Sequence, residues 1–98
     1  MVTSSRQFQT LEDLREYVSD TLCQIDQLEP DAFPITQRLL VRRDAPCGVY
    51  FCLHGPRAVK FSAIWDAQTN NILFYSPNGE RIQKTEIVAG PTLEPAIP

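Results

Sequence analysis

Hydrophobic positions follow two different periods along this chain of 98 residues. Leu11, Leu14, Val18, Leu22, Ile25 and Leu28 are spaced by three or four, which is the buried stripe of an amphipathic helix. Thr10, with Asp13 three positions on, forms a carboxylate variant of the capping box, and the early acids Glu12 and Asp13 suit the positive end of the helix dipole. Pro30 and Pro34 close the segment, so the spacing predicts a helix over 11–28.

After Pro34 the period drops to two. "ITQRLLVR" (35–42) sets Ile35, Leu39 and Val41 against Thr36, Arg38 and Arg42. "RDAP" (43–46) reads as a turn. "CGVYFCL" (47–53) alternates Cys47, Val49, Phe51 and Leu53 with Gly48, Tyr50 and Cys52. "HGPR" (54–57) is a second turn, marked by Gly55 and Pro56. "AVKFSAIW" (58–65) alternates Val59, Phe61, Ala63 and Trp65 with Ala58, Lys60, Ser62 and Ile64. "DAQTNN" (66–71) is a polar loop, "ILFY" (72–75) a short strand, and "SPNG" (76–79) a type I turn with Gly79 at the left-handed bulge position. In the last strand, "RIQKTEIV" (81–88), the apolar Ile82 and Ile87 are five apart, which predicts a bulge or an early end.

Short loops between consecutive strands join antiparallel neighbours. The expected fold class is therefore α+β, with one N-terminal helix packed on a five-stranded antiparallel meander sheet (α-β-β-β-β-β). Residues 1–9 are expected to be a frayed N-terminus and 10–88 the single domain. Residues 89–98, with three prolines and no periodicity, read as an extended or disordered tail.

Composition narrows the class further. The 43% apolar and 21% charged content suits a globular domain. No apolar run reaches the ~18–20 residues that cross a bilayer, and the opening residues lack the layout of a signal peptide. Three cysteines, an odd number, point to reduced thiols in a cytoplasmic protein. Net charge is −3, with seven acids against Arg15 alone between Glu12 and Asp31. The chain from Ala32 onward carries seven bases against five acids, well short of the basic footprint that nucleic acid requires.

The densest chemistry lies in "PCGVYFCLHGPRAVK" (46–60), which holds Cys47, Cys52, His54, Arg57 and Lys60. A zinc site commonly draws four ligands from paired C-x(2–4)-C and H-x(3–5)-H spacings, and no second pair exists here. Cys47 and Cys52 are five apart, so a regular strand sends them to opposite faces, with Cys47 on the core side. About 16 Å of extended chain also prevents their pairing as a disulfide. Cys52 and His54 share a face, about 6.5–7 Å apart at Cα. A thiolate–imidazolium pair there lacks a visible orienting partner for the imidazole. No catalytic motif occurs, and no metal or cofactor is expected.

The more informative feature is the sheet face away from the helix. It should carry Tyr50, Cys52, Lys60, Ser62 and Ile64, joined by Leu73 and Tyr75 or else by Ile72 and Phe74. A solvated face of an antiparallel sheet should be polar, and this one is half apolar. Cover by Phe8 or by the tail would account for it. So would a partner, most economically a second copy in a two-fold homodimer. The expected function is a small non-enzymatic protein-interaction module working through this face. One rival is a small-ligand domain in which Arg57 and Lys60 meet an anionic group. A weaker rival is nucleic-acid binding through Arg42, Arg43, His54 and Arg57 in the loops.

Overall fold

The computed structural model describes residues 2–25, 27–29 and 32–90, with side chains from Ser5 onward. The apolar stripe forms α1 (Leu11–Ile25), which buries Leu14, Val18, Leu22 and Cys23. Its start is fixed as expected, the Asp13 amide donating to Thr10 Oγ1 at 3.1 Å. Its end comes three residues before Leu28, in a Schellman motif. Gln27 takes a left-handed φ of 54°, its amide donates to Gln24 O, and the Leu28 amide donates to Cys23 O at 2.7 Å. Leu28 still packs on the core from outside the helix, which is why the apolar spacing runs past the last helical residue.

Strands β2 (Ile35–Arg42), β3 (Ala45–His54), β4 (Lys60–Asp66), β5 (Asn71–Tyr75) and β6 (Arg81–Ala89) form the expected antiparallel meander. The sheet has six strands rather than five. Residues Val2–Gln7, expected to fray, form β1 and pair in parallel with β6, giving the order β1-β6-β5-β4-β3-β2. The chain therefore begins at one edge, crosses one sheet face as α1, and returns strand by strand from the far edge. Ala89, assigned to the tail from its sequence, is the last residue of β6, and Gly90 follows outside any strand; 91–98, the rest of that segment, lie outside the described residues.

Register stacks the core in rows beneath the helix. Val49, Trp65, Ile72 and Thr85 stand side by side, as do Phe51, Ala63 and Phe74, and then Leu53 and Phe61. All are buried, and Phe8 joins them. The polar member, Thr85, has its hydroxyl 2.7 Å from that of Tyr17, whose ring also meets Phe8 and Phe74. The Trp65 indole N–H has no partner among the described residues, a cost set against the burial of the largest side chain in the core. Two bulges interrupt the antiparallel ladders, besides an irregularity between Arg6 and Gln7 where β1 meets β6. The expected one in β6 sets Tyr75 opposite Arg81 and leaves Ile82 as the extra residue. The other lies where β2 meets β3, at Leu40 and Val41.

Two of the hairpin turns use non-glycine residues where glycine fits best, whereas the β5–β6 turn has Gly79 at a φ of 88°. Between β2 and β3 the turn is Arg43-Asp44 alone, with φ of 52° and 63°, and Ala45 and Pro46 belong to β3. Between β3 and β4, Arg57 and Ala58 take φ of 56° and 62°, closed by Val59 N donating to Pro56 O. These are the angles of type I′ turns, in which both central residues need φ > 0. Left-handed backbone costs a non-glycine residue about 1–2 kcal/mol, partly offset by the greater freedom glycine adds to the unfolded chain. Asp44→Gly and Ala58→Gly should each stabilise by about 0.5–1 kcal/mol, raising Tm by several degrees. A fall in Tm for either, measured by calorimetry, would count against left-handed geometry at that position.

Candidate functional site

The face of the sheet opposite α1 is ordered by the same register. Its central row runs Arg38, Tyr50, Ile64, Leu73, Lys84 across five strands. One row away lie Thr36, Cys52, Ser62 and Tyr75; on the other side lie Leu40, Gly48, Asp66, Asn71 and Glu86. His54 and Lys60 pair at the end of the face. Of the two possible registers for β5, the structure therefore sets Leu73 and Tyr75 on this face and Ile72 and Phe74 in the core. Phe8 lies in the core with Tyr17, so it does not cover this face.

Tyr50, Ser62, Ile64, Leu73 and Tyr75 are half-buried, on a face that no other element covers among the described residues; the tail offered as a cover, 91–98, lies outside them. Cys52 goes further, at 6% exposed, and its Sγ makes no hydrogen bond among the described residues. His54 turns to Thr36 instead, with Nε2 3.0 Å from the Thr36 hydroxyl. Cys52 and His54 therefore share the face without forming a thiol–imidazole pair. All three cysteines are free thiols.

Cys47 departs from its expected place. Period-two alternation assigned it to the core beside Val49, but the β2–β3 bulge interrupts the alternation at this residue. It is half-buried and outside the core cluster. With Leu40, Arg42, Ile64 and Asp66 it lines a depression of about 130 Å3. Among the described residues no group of three His, Cys, Asp or Glu side chains is placed to hold a metal ion. No helix there is long and apolar enough to cross a membrane.

The candidate basic residues separate into two groups. Arg42 and Arg43 sit at the β2–β3 turn, whereas His54 ends β3 at its other end and Arg57 lies just beyond it. Ten residues of strand hold these ends about 30 Å apart, so no single small anion meets both. Arg57 and Lys60 are exposed at the second end. Arg38 and Lys84, absent from the expected site, cap the apolar row at its two ends; only the cross-strand register reveals their place. Lys84 lies 3.8 Å from Glu86. Along β4 the face carries a base at one end, Lys60, and an acid at the other, Asp66, about 20 Å apart. Compared with protein-family models, with curated proteins and with solved structures, the chain has no significant match.

Proposed function

We propose that this protein is a small, non-enzymatic interaction module that associates with a second copy of itself through the open sheet face. The observation that carries the reading is the row Tyr50–Ile64–Leu73, three apolar or aromatic side chains side by side on a face that neither the helix nor Phe8 covers. Water is a poor neighbour for such a row. One pair of charges on β4 suits a two-fold arrangement, while Arg38 and Lys84 lie at the margins of the row. When two such faces stack with their β4 strands antiparallel, Lys60 of each copy approaches Asp66 of the other. Aligned sheet packing brings the faces to about 10 Å and lets the half-buried side chains interdigitate. The depression beside this row holds about 130 Å3. A larger hollow of about 490 Å3 at the β2–β3 turn, lined by Arg42, Arg43, Ala45 and Gln68, does not include Tyr50, Ile64 or Leu73, so the row itself is a surface rather than a small-molecule cavity.

Light scattering at tens of micromolar protein should give twice the 11.1 kDa chain mass. Tyr50→Glu places a carboxylate at the centre of the row and should return the protein to chain mass, while its far-UV circular dichroism stays unchanged. Chain mass for both proteins, or twice that mass for both, would end this reading.

A further inference from the structure

A different surface, the outer edge of β2, is built to accept another strand. β2 ends the sheet, and no backbone strand pairs with its outer side among the described residues. The amide of His54 donates to Pro34 O, and alternation along an antiparallel ladder then turns the peptide groups of Ile35, Gln37 and Leu39 outwards. Arg15, reaching from α1 to donate to Ile35 O at 3.4 Å, already treats that oxygen as an open acceptor. Natural edges are blunted by prolines, shortness, bulges or charges, and β2 is protected by charge of one sign, Arg38 and Arg42, and by the bulge near its end. β2 has eight residues, with no proline among them.

The side chains along this edge specify what would pair with it. On the helix side α1 stops short of β2 and leaves Leu39 47% and Val41 58% exposed. Elsewhere along the same edge a groove is lined by Thr10, Leu11, Glu12, Arg15 and Gln37, so an incoming strand must set its carboxylates on the opposite side, away from Glu12. On the other side stand Arg38 and Arg42, with Arg43 at the turn, and β2 contains no acid. Two copies of β2 paired edge to edge would bring these arginines together, and like charges across a ladder destabilise it. The prolines of 91–98 lack the amides a ladder strand supplies.

We propose that the β2 edge binds an extended acidic segment of a partner protein by strand addition. The partner's alternate apolar side chains lie on Leu39 and Val41, and its carboxylates face Arg38 and Arg42. Main-chain hydrogen bonds supply attraction and the alternation supplies selectivity.

The test uses the whole protein and an eight-residue end-blocked probe alternating Val and Glu, labelled with fluorescein and followed by anisotropy. Binding should tighten as salt falls, and hydrogen exchange should slow at Gln37 and Leu39. A Val/Lys probe should bind at least tenfold more weakly. The double variant Arg38→Glu/Arg42→Glu should lose about tenfold in affinity for the Val/Glu probe, since several exposed charge pairs together reach about 1.4 kcal/mol. Leu39→Pro removes an outward amide while sparing the ladder to β3, and should weaken both probes. The proposal is overturned by no binding of the Val/Glu probe, equal binding of the two probes, unchanged affinity in the double variant, or protection confined to Tyr50, Ile64 and Leu73. Equally tight binding of a ten-nucleotide DNA strand also overturns it, because the arginines would then read charge alone.

Discussion

Gly48→Ala is expected to cost about 3 kcal/mol, the upper end of what overpacking a well-packed site costs, although it adds a single methyl group. Gly48 pairs with Asp66 between β3 and β4, in the middle of the sheet. A Cβ built there runs into the Trp65 carbonyl oxygen and comes within 3.3 Å of its carbonyl carbon. Neither atom can move as a side chain can. Both belong to the backbone of the strand that holds Trp65 in the core, so the methyl group must push β3 from β4 or displace that indole. For a domain of this size each kcal/mol moves Tm by about 4–8 °C. The melting temperature of Gly48→Ala should therefore fall by about 12–24 °C, with a matching loss in urea midpoint. A melt within about 5 °C of the parent protein would show that the two strands do not approach so closely. Gly48→Val, with two further methyl groups to place, should not fold at 37 °C.

Gly48 also shows where reading the chain by period succeeds and where it stops. Alternation within 47–53 correctly separates Val49, Phe51 and Leu53 from Tyr50 and Cys52 because each strand interior obeys one local rule. The helix stripe and the meander follow similarly, since short polar loops force consecutive strands to be neighbours. The misplacement of Cys47 arises from a bulge, which depends on the partner strand and leaves no mark in the spacing of β3 itself. The exposure of Leu39 and Val41 has a related cause. They occupy the helix-side face that their alternation indicates, but a fifteen-residue helix does not reach across to the edge strand. At the candidate site, residues within one strand could be grouped by parity. The pairing of Arg38 and Lys84 with the central row could not, because it requires the register of five strands at once.

The strand whose position owes most to distant residues is β1, and removing it should have the second large effect. "VTSSRQ" has no apolar alternation, and its pairing partner β6 lies some eighty positions away. The ladder itself adds little net stability. Each backbone hydrogen bond contributes about 0.5–1.5 kcal/mol, and ordering each residue costs about 1–2 kcal/mol. What fixes β1 is the residue that follows it. Phe8 is 8% exposed, its ring stands 5.3 Å from that of Tyr17, and its amide donates to Ala89 O at 2.8 Å. Arg6 adds a guanidinium 5.5 Å from the centre of the Tyr17 ring. Phe8→Ala should therefore cost about 3 kcal/mol, and deletion of residues 1–9 about the same in urea unfolding. The two variants should differ in association. Deletion bares the edge of β6, an open template for another strand, whereas Phe8→Ala loosens β1 but leaves it tethered beside that edge, where it competes with any incoming strand. The deleted protein should form larger species than Phe8→Ala by light scattering at equal concentration. A deletion that costs less than 1 kcal/mol would show that the N-terminus does not hold the sheet. Equal masses for the two variants would show that β1 is not what protects the β6 edge.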